Sequence, residues 1–360
     1  MNNSTTEKRM GQDHELVAAG AGGEVASFET GQLSLVHRIH RFFHANPTAA
    51  PAIVLLLAVV FFSSYVGRRF LHPFNLSLIL QQVTIIATLG LAQTLIILTA
   101  GIDLSVGAIM VLTSVVMGKT AVVLGLPPVL ALSLGIVAGA ACGAVNGSLV
   151  TRFRLPPFIA TLGTWNVFFA LNLWYSDSQT IRFQDIQAHA PLLQWTGNAI
   201  DMYGAQLTYG SLLMLAMCVG LWYALKWTAW GRHVYAVGDD RSAAELAGIR
   251  TRRVLFSVYV LAGLFCGVAG WVLIGRIGSV SPQSGQMSNL DSITAVVIGG
   301  TSLFGGRGSI YGTLIGALAV GVFRNGLALA GVDVLWQEFT VGLLIIVAVA
   351  VDQWIRRVSE

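Results

Sequence analysis

Apolar residues in this chain gather in long blocks instead of alternating with polar ones. The blocks cover 49–66, 77–99, 104–124, 128–151, 157–175, 208–226, 254–275, 290–304, 309–331 and 335–353, ten in all. A bilayer core takes about 20 helical residues to cross, and most of the blocks reach or approach that length. The 77–151 region must be at least three helices, because one helix at about 1.5 Å per residue would run through several bilayers. The pattern predicts an all-α polytopic membrane protein of about ten transmembrane helices, with its membrane domain over 48–354.

Residues 1–47 differ sharply, being rich in Gly, Ser, Thr, Glu and Asn, without an apolar run to serve as the core of a secretory signal. They are expected to form a cytoplasmic, largely disordered tail with a short amphipathic piece at "LSLVHRIHRFF". The remainder of the chain accounts for a composition that is 55% hydrophobic and 11% charged, against roughly 25% charged in soluble domains. A net charge of +4 does not point to nucleic acid, since the basic residues sit between apolar blocks and not on one soluble face.

Topology explains the charges better. The 229–253 loop carries Arg232, Arg241, Arg250, Arg252 and Arg253, whereas the 176–207 loop sets Arg182 among Asp177, Asp185 and Asp201. By the positive-inside rule the first is cytoplasmic and the second faces outward. Arg152 and Arg154, together with Arg356 and Arg357 beside the cytoplasmic C-terminus (355–360), agree with both termini inside; Arg68 and Arg69 run against it.

Little in the chain suggests catalysis. Gly118-Lys119-Thr120 lacks the first glycine of a phosphate loop, which would fall at Thr113, and it lies in a membrane block. "GGRGSIYG" at 305–312 has the wrong spacing for a dinucleotide fingerprint and predicts a sharp turn. Cys142, Cys218 and Cys266 lie singly in apolar blocks and predict packing, with no metal site and no cofactor. Glycines at 135, 139, 143 and 147 recur every fourth residue, as do 263 and 267, and predict close helix packing. Within the long basic loop, Asp239 or Asp240 is placed to cap a helix from Arg241 to Ala247, and Gly248 to end it. So short a helix needs external support. Ala243, Ala244 and Ala247 are expected to be exposed and to enter a partner's groove.

The residues also carry a resemblance. "ILTAGIDLSVG" (97–107), "NGSLVTRFRLPPFIATLGT" (146–164), "GRHVYAVGDDRSAAELAGI" (231–249) and "AVVIGGTSLFGGRGSIYGTLIGA" (295–317) are similar, in order and spacing, to the signatures of ABC-type monosaccharide importer permeases, the branch of ribose, xylose, arabinose, galactose and fructose systems. The resemblance covers about 48–354. It departs from the family at Ala100, where glycine is usual, at Asp240, where many members have asparagine, and at Asn289, where many have glutamate. It implies a homodimeric pathway and a cytoplasmic ATPase subunit that binds ATP and Mg and docks on Asp240, Arg241, Ala243, Ala244, Glu245 and Gly248. It also implies a periplasmic sugar-binding protein, a bacterial inner membrane, and inverted halves pairing spans two to five with seven to ten. It implies a transport component and not an enzyme.

A neutral sugar needs a hydrated, weakly binding path. Polar residues inside the blocks are its candidate lining: Gln81, Gln82, Gln93, Thr94, Asn146, Thr161, Thr164, Trp165, Asn166, Arg324 and Asn325. Trp165 offers an aromatic face to a pyranose. Arg276 and Asp291 are expected to pair across the outer mouth. Gly101 and Asp103 are expected to make the turn between spans two and three on the cytoplasmic side, Gly101 permitting the reversal and Asp103 capping span three by accepting from backbone N–H groups near Ser105 and Val106, so that no charge lies at mid-depth. An ion-coupled secondary transporter of a small polar solute is the alternative. It requires acids at mid-depth, and the expected spans place Asp103 and Asp291 at span ends.

Overall fold

The computed structural model describes residues 48–285 and 288–359. The tail expected over 1–47, its amphipathic piece included, lies outside them. Each of the ten apolar blocks coincides with a helix. In chain order these are α1 (Ala49–Val66), α2 (Pro73–Leu98), α3 (Val106–Gly118, prolonged by a wider turn over Lys119–Val123), α4 (Pro128–Thr151), α5 (Pro157–Ser176), α7 (Tyr209–Trp227), α10 (Thr251–Ile277), α11 (Ser288–Ile298), α12 (Ile310–Leu329) and α13 (Val334–Ser359). Seven of the described helices are long and apolar enough to cross a membrane unaided. The ten helices fit the expected all-α polytopic architecture, and seven of them reach spanning length and hydropathy by themselves. The block at 290–304 is helical only to Ile298, because Gly300 turns with φ +82° and the chain leaves the helix. Eleven residues give about 16 Å, half a bilayer core.

Two loops hold structure that periodicity did not reveal. The 176–207 segment contains α6 (Phe183–His189), a tight turn at Pro191–Gly197, and an antiparallel hairpin of β1 (Ala199–Met202) with β2 (Ala205–Thr208). The basic loop contains α8 (Ala229–Asp239), whose Gly231, Val234, Val237 and Gly238 are buried, ahead of α9 (Arg241–Leu246), the helix expected over Arg241–Ala247. Because α8 is amphipathic and not uniformly apolar, it reads in the sequence as loop.

The core forms where α4 crosses α10. A Cβ at Gly139 or Gly143 would strike the backbone oxygens of Gly263 and Tyr259, so only glycine admits this approach. Helices α2 to α5 and α10 to α13 make corresponding pairings: α3 packs on α4 and α5 as α11 packs on α12 and α13, and α10 packs on α3 and α4 as α2 packs on α11 and α12.

Turns segregate to two ends. At one end Gly306 N–H donates to Leu98 O (3.0 Å) and Tyr235 Oη to Gly308 O (2.9 Å), joining the turns after α2 and α11 to α8. At the other, Ile181 and Val280 pair through their backbones, Lys119 Nζ reaches Asp177 Oδ2 (2.6 Å), and Gln206 N–H donates to Ser77 Oγ (2.6 Å).

Helices α3 and α11 begin inside the bundle. The chain after α2 turns back over 99–105, and the chain after α10 enters from the opposite end alongside α3. Their starts meet where Asn289 Nδ2 donates to Leu104 O (3.1 Å). From there α3 runs until Gly118 meets Val280, and α11 runs the other way until Gly299 meets Gly312. Non-helical backbone at such depth is tolerated only when protein or a wet cavity satisfies it.

Candidate functional site

The turn at 99–105 is held by side chains from four helices. Asp103 Oδ1 accepts from Ser105 N (2.7 Å) and Ser105 Oγ (2.6 Å). Asn146 Nδ2 on α4 donates to Asp103 Oδ2 (3.2 Å) and to Ser105 Oγ (2.8 Å). Gln93 Nε2 on α2 donates to Asp103 O (2.8 Å). Thr161 Oγ1 on α5 accepts from Leu104 N (3.2 Å) and donates to Ile102 O (3.1 Å). Tyr259 on α10 places its hydroxyl close to Gly101.

Two expectations change here. Asp103 caps through Ser105 alone, not Val106, and it is 2% exposed, well inside the protein and not at an accessible helix end. The left-handed residue is Ala100 (φ +59°), not Gly101. Gly101 is needed for room, since a Cβ there would come within 3.0 Å of Ile96 and 3.2 Å of the Tyr259 hydroxyl. Three buried atoms of this cluster, Gln93 Oε1, Asn146 Oδ1 and Tyr259 Oη, have no protein partner.

Most of the other candidate lining residues make contacts within and between helices. Thr94 Oγ1 ties α2 to Thr313 Oγ1 on α12 (2.6 Å), Thr164 bonds back to Thr161 O (3.3 Å), and Asn325 exchanges amide bonds with Asn75 (2.9 and 3.0 Å). Asn166 is exposed and bonds only to Leu162 O of its own helix, while Trp165 stacks on Phe169 at 6.2 Å. Gln81 and Gln82 are half-buried. Polar groups at membrane depth thus serve mainly as helix-to-helix ties in this chain.

Arg276 and Asp291 do not pair. Asp291 Oδ1 takes Arg324 Nη2 at 2.7 Å, and Arg324 also grips Glu338 of α13 at 2.7 and 3.1 Å. A guanidinium within an apolar span draws the nearest carboxylates, and antiparallel α12 and α13 bring Glu338 to it. Glu338 was missed by sequence reasoning, although an arginine inside an apolar block signals that an acid must lie close. Arg276 instead borders an open cleft with Gln81 and Thr84 of α2 and Thr208 of β2. Lys119, the lysine of the apparent phosphate motif, is committed to Asp177.

At the opposite end, Asp240 Oδ1 accepts from Ser242 N (2.7 Å) and Ala243 N (3.0 Å), and α9 ends at Leu246 before Gly248 at φ +81°. Glu245 accepts from Thr251 Oγ1 (2.5 Å), which with Arg241 nearby holds its carboxyl below the ordinary range. Ala243 and Ala247 are exposed, but Ala244 is 4% exposed and packs inward, which corrects the expected trio. Leu246, at 91% exposure, is the apolar side chain this helix offers outward.

Helices that begin inside the bundle and buried polar ties between helices, together with seven helices able to cross a membrane, make up a multi-pass membrane protein. The chain belongs to the family described as branched-chain amino acid transport system / permease component, whose model matches residues 75–349. It is 53% identical to the fructose import permease protein of Rhizobium meliloti over 100% of both chains. It is 41% identical to the ribose import permease protein of Bacillus subtilis over 83% of this chain and 90% of that one. Identity to the D-allose transport system permease protein of Escherichia coli is 33%, over 84% and 91%. No solved structure matches the chain. As a permease component it moves solute and is not an enzyme.

Proposed function

We propose that this chain is the membrane permease of an ATP-driven importer that passes a monosaccharide, fructose- or ribose-like, from a periplasmic binding protein into the cytoplasm. Full-length similarity to a fructose import permease carries the reading. Two copies form the pathway. The ATPase subunit, which holds ATP and Mg, docks on α8 and α9, where Leu246 and the arginines of 229–253 stand out; that end is cytoplasmic, as are both termini, in a bacterial inner membrane. The binding protein approaches the end formed by α6 and the hairpin. ATP-driven closure of the partner reaches the bundle through α9, whose Gly248 joins it to α10, and through α8, whose Gly238 lies against Leu98 and Gly306.

The Asp103 cluster, on this reading, is the pivot that keeps α3 starting inside the bundle. Ion coupling has no support among the relatives, which are import permeases; Asp291 is paired with Arg324, and the buried Asp103 carboxylate is taken up by Ser105 and Asn146. Co-purification of the chain with its ATPase tests the reading. A chain that takes up sugar with no ATPase bound would refute it.

A further inference from the structure

Helix α7 ends in an arrangement that the fold itself does not use. Its Leu212, Leu215, Val219, Tyr223 and Trp227 are 39–62% exposed and fall on one face at three- and four-residue steps. The 19 residues of α7 give about 28 Å, close to the roughly 30 Å of a bilayer core. Its last turn therefore stands at the level of the lipid headgroups, beside the basic loop. There Lys226 is exposed, and its Nζ lies 5.4 Å from the ring centroids of both Trp222 and Trp227. Trp222 packs in turn on Tyr311 of α12 at 5.7 Å, and Trp230 Nε1 donates to Ser257 Oγ of α10 (2.8 Å), so this corner is fixed to the bundle. Among the described residues the Lys226 ammonium has no hydrogen-bond or ion-pair partner, and neither has the exposed Arg232 guanidinium beyond it.

We propose that this face of α7 is a binding site for an anionic phospholipid, with acyl chains along Leu212, Leu215 and Val219 and the phosphate on Lys226. The order of the side chains carries the proposal. Apolar, then aromatic, then cationic groups follow one another along the face, as acyl chain, glycerol and phosphate do in a leaflet. An ammonium held between two indole rings loses little further freedom on binding, and its three N–H donors are free to meet phosphate oxygens. Net charge selects the lipid. Asp239 is the only acid on α7 or α8, and it closes the far end of α8. Lys226 and Arg232 thus leave a positive charge that an anionic headgroup offsets and a zwitterionic one does not. A stripe that runs the length of a membrane helix also suits a lipid, since a soluble partner reaches only its end.

The test does not depend on which solute is carried, because it reads lipid binding by the purified chain. Phosphatidylglycerol and phosphatidylcholine are titrated onto the permease in detergent, with and without the ATPase subunit. Native mass spectrometry counts bound lipid for wild type, Lys226→Gln, Lys226→Arg and Arg69→Gln. Wild type is expected to prefer phosphatidylglycerol, and Lys226→Gln to bind it about fivefold more weakly. Lys226→Arg keeps the preference, and so does Arg69→Gln, which removes an exposed charge at the opposite end of the bundle. Equal affinity in Lys226→Gln and wild type overturns the site, as does an equal loss in Arg69→Gln, which makes the effect one of net charge. Inorganic phosphate that displaces phosphatidylglycerol at equal concentration marks a free-anion site and overturns the lipid assignment. Displacement of the lipid when the ATPase assembles gives this face to that partner and overturns it as well.

Discussion

The buried carboxylate of Asp103 gives the sharpest test of whether the turn before α3 is an anchor or an ion site. Asp103→Ala deletes the acceptor of two bonds from Ser105 and one from Asn146, and both partners are 0% exposed. Ser105 N–H is then left buried without a partner and Asn146 loses one of its two bonds, at about 1–3 kcal/mol for each group. Relief from burying the charge returns part of this. The net cost is about 2–4 kcal/mol, or a fall in Tm of about 4–10 °C. Asp103→Asn keeps the acceptor for Ser105 and places an amide against Asn146, whose Oδ1 has no partner in the wild type. Rotation of the Asn146 amide satisfies that contact, so this variant costs no more than about 1 kcal/mol. Thermal unfolding of the purified permease, paired with uptake in vesicles, reads both. Stable, assembled Asp103→Asn that transports nothing would refute the anchoring argument, because the charge itself would then be required.

Ala100 sits at φ +59°, a conformation costly for any residue with a Cβ, so Ala100→Gly should stabilise the protein by about 1 kcal/mol in the same unfolding assay. Arg324→Met strands Asp291 and should cost about 3 kcal/mol, whereas Arg276→Met should leave stability within about 0.5 kcal/mol of wild type; equal losses would contradict the ion-pair assignment. Glu245 has a depressed pKa, so its tie to Thr251 contributes fully above the ordinary carboxylate range and is lost as pH falls through its lower folded value. Hydrogen exchange in α9 should therefore stay slow down to about pH 4.5 and quicken only below it, and Thr251→Val should move that onset upward.

How much was legible in the sequence follows from what kind of force sets each feature. All ten helices were readable, because lipid demands long apolar blocks that stand out from any soluble pattern. The α9 cap was equally plain: Asp240 and Gly248 mark helix ends through local backbone chemistry that needs no tertiary partner. The Gly139 and Gly143 contact announced itself by four-residue spacing, as did Gly263 and Gly267 on α10, but the spacing did not say that these two helices meet each other.

Other features depend on contacts across long stretches of chain. Arg276 and Asp291 both had the chemistry to pair, yet Arg324 and Glu338 lay nearer once α12 and α13 folded back on each other. The early end of α11 turned on Gly299 and Gly300, which sit among apolar neighbours and so kept the block apolar past the point where the helix stops. Asp103 was placed at a turn correctly, but that turn folds back into the bundle, and only Gln93, Asn146 and Thr161 reveal its depth. The cleft beside Arg276 was invisible for a related reason: Gln81, Thr196, Thr208 and Arg276 come from four separate elements.

The central claim is that this permease carries sugar only when driven through α9, and Gly248→Pro tests it most directly. Gly248 adopts φ +81°, which proline, held near −65°, does not reach. ATP-driven uptake of labelled fructose and ribose is measured beside ATP hydrolysis in vesicles holding the wild-type or variant complex. The account predicts that wild type accumulates sugar in step with hydrolysis, and that the variant still inserts and binds the ATPase but hydrolyses ATP without accumulating sugar. Coupled uptake in the variant equal to wild type would contradict it.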